Sequence, residues 1–258
     1  MTELQIITII ITITLSFLGA SVGSFLNAAA LRRADGRGFI SGRSHCPTCY
    51  QVLKWYDLVP VISWLALLGR CRSCRVRIPP RYPLTELTAA IAFALSFTVY
   101  GFAYAALLSL GVAVVLLAVS LIDLSTTEIP NGLVIALVPF AVAAVFVFPE
   151  VSVLSRGIGF FTVSLPMLIV AIAISGAFGG GDIKLMAVCG FLLGWQNSLL
   201  AFFIAVLIGG GFAVYLLVSG KRGRGEHMVF GPALCTGVFI AQLFGYRIVD
   251  WYMGLLVF

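Results

Sequence analysis

Long apolar segments dominate this chain of 258 residues and limit what it can fold into. About 20 apolar residues in a helix cross the hydrocarbon core of a bilayer. Hydrophobic residues make up 61% of the chain and charged residues only 10%, which excludes both a soluble enzyme and a disordered chain. Eight candidate spans can be counted, at residues 4–31, 84–100, 102–122, 133–148, 157–176, 183–195, 198–219 and 229–258. We therefore predict an all-α polytopic membrane protein with about eight transmembrane helices.

Basic residues are concentrated in two loops and predict how the chain is oriented. Of the sixteen Lys and Arg residues, ten lie between Arg32 and Arg81, and Lys221, Arg222 and Arg224 share one short loop. Basic loops beside apolar spans face the cytoplasm, so both loops are predicted to be cytoplasmic and the N-terminus external. The first apolar segment is too long for a cleavable signal peptide and is expected to remain as a span. We therefore interpret the clustered basic residues as a signal for membrane orientation, with contact to anionic lipid as a further consequence, rather than as a nucleic-acid binding surface.

The polar segment at residues 32–83 separates the first span from the others. Because about 50 residues are too few for a secure hydrophobic core, this segment needs a stabilising cross-link. We predict three parts: a first span at 1–31, a cytoplasmic domain at 32–83 and a transmembrane catalytic domain at 84–258. Within the spans, Gly19 and Gly23, and likewise Gly190 and Gly194, have a spacing that allows helices to approach closely.

Four of the six cysteines form two pairs in the polar segment, Cys46 with Cys49 and Cys71 with Cys74. Two C-x-x-C pairs can supply four thiolates to a tetrahedral Zn²⁺ ion. Two disulfides are the alternative, which a reducing cytoplasm disfavours. A closed site of this kind is structural, so we predict a structural zinc rather than a catalytic one.

Two carboxylates stand out because each borders an apolar segment. Asp123 ends the run 114–122, and Asp182 follows three glycines and opens the sixth segment. Ionisable groups at membrane depth are costly and indicate function, whereas glycines let a backbone break and approach a ligand. Two loop carboxylates that reach toward water remain the alternative.

Two carboxylates that come together can share one proton, because like charges a few ångströms apart cannot both ionise. One can then act as a base on water while the other polarises a carbonyl, which is the chemistry of aspartic proteases. His45 and His227 have no Ser or Cys partner in a nucleophile motif and are interpreted as ordinary loop residues.

Several motifs together resemble those of the type IV prepilin leader peptidases, which are intramembrane aspartyl proteases. Residues 179–185, GGGDIKL, are similar to the G-x-G-D-x-K-L motif of that family, and Asp123 with the following Ile129-Pro130-Asn131 is similar to the site of its other aspartate. Further similar stretches are the two cysteine pairs, 55–64 (WYDLVPVISW), 81–87 (RYPLTEL), 23–27 (GSFLN) and 230–232 (FGP). Asn131 departs from the Asp often found there, at a position outside the aspartate pair.

This resemblance implies an enzyme of the bacterial inner membrane with two activities. The first is removal of a short basic leader from type IV prepilins or pseudopilins, with Asp123 and Asp182 as catalytic residues. The second is N-methylation of the new N-terminus with S-adenosylmethionine as methyl donor. A proton-coupled transporter is the alternative from another class, but it leaves the cysteine segment without a role. A non-enzymatic scaffold leaves both aspartates unexplained.

Overall fold

The computed structural model describes residues 2–34, 44–174, 176–219 and 229–256. This part contains ten α-helices and a 3-10 helix (Trp55–Leu58), and its only β-structure is two isolated bridges. The α-helices are α1 (Glu3–Ala34), α2 (Ile62–Ala66), α3 (Arg81–Tyr100), α4 (Tyr104–Thr126), α5 (Asn131–Val147), α6 (Val153–Thr162), α7 (Ser164–Ala173), α8 (Gly180–Leu193), α9 (Trp195–Val218) and α10 (Gly231–Leu256). The basic loop at 221–224 and His227 lie outside the described residues.

Six spans in the described residues are long and apolar enough to cross a membrane: α1, α3, α4, α6 with α7, α9 and α10. Helix α5 has 17 residues and α8 has 14, so these two apolar helices are shorter than a full span. Each of the eight apolar segments predicted from the sequence corresponds to one helix or, at 157–176, to the pair α6 and α7. The prediction of an all-α polytopic membrane protein is confirmed.

The break between α6 and α7 was not predicted and has a local cause. Pro166 lies in the first turn of α7, three residues after Val163, which separates the two helices. Proline has no backbone N–H, and its ring clashes with the carbonyl four residues earlier, so a continuous helix cannot pass this point without distortion. The apolar segment therefore forms two ten-residue helices.

The chain divides into two compact units, Met1–Ala106 and Leu107–Phe258. The division at residues 31 and 83 that the sequence suggested stays a prediction. In the first unit, α1 packs along α3, and both predicted glycines lie at the contact. A Cβ added at Gly19 would lie 2.6 Å from the Ala89 carbonyl oxygen, and one at Gly23 would lie 2.8 Å from the Ala89 Cβ. Close packing of this helix pair thus requires both glycines.

Two acidic residues anchor the polar segment of the first unit. Asp57 forms an ion pair with Arg72, at 2.8 Å between Oδ1 and Nε. The buried carboxylate of Glu86 accepts a hydrogen bond of 2.7 Å from the backbone N–H of Val61. Glu86 thus binds a backbone donor, which fastens the polar segment to the first turns of α3.

A buried arginine joins the helix ends of the second unit. Arg156 of α6 is 0% exposed. Its guanidinium donates to the carbonyl oxygens of Leu192 at 2.6 Å, Ala144 at 2.8 Å and Phe148 at 2.9 Å, at the C-terminal ends of α8 and α5. The last carbonyls of a helix have no partner within the helix. The carbonyls of Ala144 and Phe148 also accept from the N–H groups of Phe148 and Val151, so Arg156 adds a charged donor at these helix ends and holds α5, α6 and α8 together.

We expect Arg156→Met to destabilise the protein strongly. Methionine fills similar space but has no donors, so the hydrogen bonds from the charged guanidinium are lost, at about 1.5–3 kcal/mol for each bond. The free energy of unfolding should fall by at least about 3 kcal/mol. Arg247→Met is the matched control, since Arg247 is exposed on α10, and it should change stability by less than about 0.5 kcal/mol. Equal stability of the two variants in denaturant unfolding would contradict this role.

Candidate active site

Asp123 lies in the last turns of α4 and is nearly buried, with 5% of its surface exposed. Its Oδ2 accepts a hydrogen bond of 2.9 Å from the backbone N–H of Gly231, the first residue of α10. The chain reverses just after α4, where Thr127 has a positive φ of 55° and its N–H donates to the Asp123 carbonyl at 2.8 Å. The carboxylate thus lies where a long apolar helix ends.

Asp182 lies in the first turn of α8 and is half-buried. Its Oδ2 accepts a hydrogen bond of 3.3 Å from the backbone N–H of Gly179, the residue before the helix. A Cβ added at Gly181 would lie 2.7 Å from the Ile129 Cβ. The glycine therefore lets the start of α8 approach the segment between α4 and α5, which brings Asp182 toward the end of α4.

One cleft of about 340 Å³ contains both carboxylates. It is lined by Asp123, Thr127, Glu128, Ile129, Asn131, Gly179, Gly180, Gly181, Asp182 and Lys184. The two aspartates are close enough to interact electrostatically. Folding therefore brings together the two residues that the sequence singled out 59 positions apart. Paired carboxylates in such a cleft can activate a water molecule and polarise a carbonyl.

Lys184 and Asn131 join the two sides of the cleft. The Nζ of Lys184 on α8 donates a hydrogen bond of 3.1 Å to the Oδ1 of Asn131, the first residue of α5. Asn131 is the position at which the chain departs from the motif it resembles. An amide oxygen accepts this hydrogen bond but carries no negative charge. Asn131 therefore does not neutralise the positive charge of the Lys184 ammonium, as an aspartate at this position would.

The four paired cysteines form a second candidate site in the first unit. Their sulfur atoms all lie within 4.8 Å of one another, and Sγ of Cys46 is 3.8 Å from Sγ of Cys74. A tetrahedron with Zn–S bonds of about 2.3 Å has edges of about 3.8 Å. All six cysteines are free thiols, and 3.8 Å is too long for a disulfide bond. The geometry fits a zinc ion and does not fit the alternative of two disulfides.

Both cysteine pairs have the same backbone geometry. The N–H groups of Tyr50 and Arg75 donate to the carbonyl oxygens of Cys46 and Cys71, and both residues have a positive φ, 56° and 60°. Backbone N–H groups also point at the sulfur of Cys46. These hydrogen bonds, that of Cys49 above all, lower the pKa of the Cys46 thiol to about 6. The first turn thus favours the thiolate of Cys46, the form that binds metal.

Some features around the cleft were not identified from the sequence. Glu128 lines it as a charged residue, Lys184 was included only within the motif at residues 179–185, and Gly231 contacts Asp123 across 108 positions. Sequence similarity did include Gly231, within residues 230–232, but no local pattern links that glycine to a carboxylate in another helix. Arg156 also escaped notice, although a lone arginine within an apolar segment is itself a signal.

The fold and the cleft define a class: a multi-pass membrane protein with two carboxylates in one cleft at the ends of its helices. A family model described as "Type IV leader peptidase family" matches residues 110–214, and one described as "Bacterial Peptidase A24 N-terminal domain" matches residues 17–100. The chain belongs to the type IV leader peptidase family. It is therefore a peptidase of the bacterial inner membrane, not a transporter or a scaffold.

Curated relatives extend the similarity along nearly the whole chain. The prepilin leader peptidase/N-methyltransferase of Bacillus subtilis is 33% identical over 239 residues, 93% of this chain and 96% of the relative. Proteins of the same name from Burkholderia pseudomallei and Myxococcus xanthus are 33% and 31% identical, over 79% and 84% of this chain and 67% of each relative. No solved structure is significantly similar to the chain.

Proposed function

We propose that this protein removes the basic leader from type IV prepilins or pseudopilins, with Asp123 and Asp182 as its catalytic pair. The observation that carries the proposal is that both carboxylates line one cleft at the ends of apolar helices. The relatives supply the substrate class, since each is named prepilin leader peptidase/N-methyltransferase. A prepilin presents a polar leader beside an apolar helix, and this cleft lies where polar and apolar parts of the chain meet.

The two carboxylates would act on one water molecule between them. One accepts a proton from the water as it attacks the scissile carbonyl, and the other, protonated, donates a hydrogen bond to the carbonyl oxygen. The proton gained by the first carboxylate then passes to the leaving amine. Each aspartate therefore depends on the other, which makes the pair a single functional unit.

The charges along the cleft also suit a basic leader. Asp123, Glu128 and Asp182 line it together with one cation, Lys184, so acidic groups outnumber basic ones. Glu128 is exposed and can meet a lysine or arginine of the substrate without a large desolvation cost. Complementary charge of this kind raises the rate at which the leader associates with the cleft and fixes its orientation, more than it raises the binding affinity.

The cysteine cluster would hold a structural zinc ion. Cys46, Cys49, Cys71 and Cys74 provide four sulfur ligands, which leaves no open position for substrate or water. The metal would cross-link a segment too small to have its own hydrophobic core. It takes no part in the cleavage step described above.

Methylation of the new N-terminus is the second proposed activity. It is supported by the names of the relatives, and by the family model that matches residues 17–100, where the cysteine cluster lies. S-adenosylmethionine would supply the methyl group. The acceptor is the α-amine that cleavage exposes, so methylation can only follow leader removal.

We expect the cysteine cluster and the cleft to face the cytoplasm, with the N-terminus external. Arg32 and Arg33 lie in the last turn of α1, and basic residues continue to Arg81 at the start of α3, which the positive-inside rule places on the cytoplasmic side. In intact cells, a membrane-impermeant thiol reagent should label Glu3→Cys and leave Thr48→Cys unlabelled until the membrane is permeabilised. Labelling of Thr48→Cys from outside would refute this topology.

Purified protein and a purified prepilin test the proposed function directly. After incubation in lipid vesicles, mass spectrometry should find a pilin that has lost its leader and, with S-adenosylmethionine added, carries one N-terminal methyl group. A prepilin of unchanged mass in the presence of folded, zinc-loaded protein would contradict the proposal.

A further inference from the structure

The start of α10 touches the Asp123 carboxylate directly. The first residue of that helix, Gly231, donates its backbone N–H to Oδ2 at 2.9 Å, in a hydrogen bond that is buried. The N–H groups in the first turn of a helix have no partner within the helix. Pro232 has no N–H at all, so Gly231 provides the donor at this point.

Position 231 requires glycine because there is no room for a side chain, not because of its backbone conformation. Gly231 is absent from the four glycines with positive φ in the described residues, which are Gly69, Gly101, Gly176 and Gly194, so another residue could adopt its backbone angles. A Cβ added at Gly231, however, would lie 2.9 Å from the Asp123 Cγ and 3.2 Å from its Cβ, and still closer to Oδ2. Any side chain at this position must therefore move the carboxylate.

The neighbouring Phe230 holds this contact in place. Its ring lies 6.0 Å from that of Phe178, in the segment that leads to Asp182. A Cβ added at Gly209 of α9 would lie 2.8 Å from the ring of Phe230, so the phenylalanine is packed against α9 as well. Residues 230–231 thus contact both sides of the cleft: Phe230 contacts the approach to Asp182, and Gly231 contacts Asp123.

We propose that Gly231 is a positioning residue for the catalytic pair. Its N–H holds Oδ2 of Asp123, and its missing side chain leaves room for the carboxylate, so that Oδ1 remains available to the cleft that Asp123 lines. This inference rests on the proposed function, because the pair that Gly231 positions is the proposed pair. Gly231 itself does not touch the substrate.

Gly231→Ala tests the proposal through kinetics. It keeps the N–H but adds a Cβ against the carboxylate, and a displacement of about 1 Å can cost about 100-fold in rate. We expect kcat for leader removal to fall by about 100-fold while KM changes by less than about twofold. Gly254→Ala is the matched control in the same helix, because a Cβ there meets no atom within 4 Å. The proposal would be overturned if Gly231→Ala had the kcat of the wild-type protein, or if its KM rose by as large a factor as its kcat fell.

A thermal double-mutant cycle tests the same contact without any substrate. Gly231→Ala should lower the midpoint of thermal unfolding by about 3 °C or more. In an Asp123→Ala background the two closest atoms, Oδ2 and Cγ, are absent and only the Cβ at 3.2 Å remains, so the further loss should fall to less than half. Equal losses in both backgrounds would show that Gly231 acts on the fold rather than on Asp123. If the wild-type protein cleaves no prepilin, the proposed function fails, whereas this cycle still decides the contact.

Discussion

Asp123→Asn and Asp182→Asn should each reduce leader removal by at least about 1,000-fold. Asparagine has nearly the shape of aspartate but cannot ionise or accept the proton from water. Its side-chain oxygen can still accept the hydrogen bond from Gly231 or Gly179, so the fold is preserved while the chemistry is lost. Initial rates of cleavage on a purified prepilin measure the effect.

The matched control for these variants is Asp250→Asn. Asp250 is exposed on α10 and does not line the cleft, so this change should leave the cleavage rate within about twofold of wild type. All three variants should retain their zinc, because the cysteine cluster lies in the other compact unit. A loss of cleavage in Asp250→Asn equal to that in the other two would show that the assay responds to any charge removed from the helices.

The second large effect concerns the metal. Cys46→Ser removes one of four sulfur ligands, so bound zinc should fall from about one ion per chain to about one tenth or less. If the polar segment at residues 32–83 helps to form the methyl-donor site, methylation of the pilin should decline at least tenfold, and at least as much as cleavage does. Metal analysis and mass spectrometry of the processed pilin N-terminus measure both quantities.

A cysteine outside the cluster provides the control for this experiment. Cys189 is buried in α8, and Cys189→Ala should retain both zinc and methylation. Normal methylation by a Cys46→Ser protein that has lost its zinc would disprove the link between the metal and the methyl transfer. Wild-type protein without zinc would disprove the metal site itself.

The helices could be predicted from the sequence because each apolar segment carries its own signal. Length and apolarity indicated all eight segments, and Pro166 marks the one place where a segment forms two helices. Helices α5 and α8 have fewer residues than a span requires, and apolarity alone cannot distinguish such helices from full spans. Local composition thus predicts where helices form better than whether each crosses the bilayer.

The candidate residues of the cleft could also be identified, but their contacts could not. Asp123 and Asp182 each interrupt an apolar pattern, which is a local feature. The hydrogen bond from Gly231 joins residues 108 positions apart, and that from Arg156 to Leu192 joins residues 36 positions apart. Such contacts depend on how helices cross, and one sequence contains no local pattern that determines a crossing.

The same limit explains the partner of Glu86. An acid beside a segment rich in arginine commonly pairs with one of them, yet Glu86 binds the backbone N–H of Val61, which has a positive φ of 60°. That turn leaves the amide pointing at the carboxylate. Charge pattern predicts which residues need partners, whereas the path of the backbone decides which partner is reached.

The most direct test of the catalytic pair compares four proteins on one prepilin: wild type, Asp123→Asn, Asp182→Asn and the double variant. If the carboxylates act as a unit on one water molecule, the wild-type protein removes the leader, and the double variant is no slower than either single variant. Substantial leader removal by either single variant, or a double variant slower by the product of the two single losses, would contradict the account.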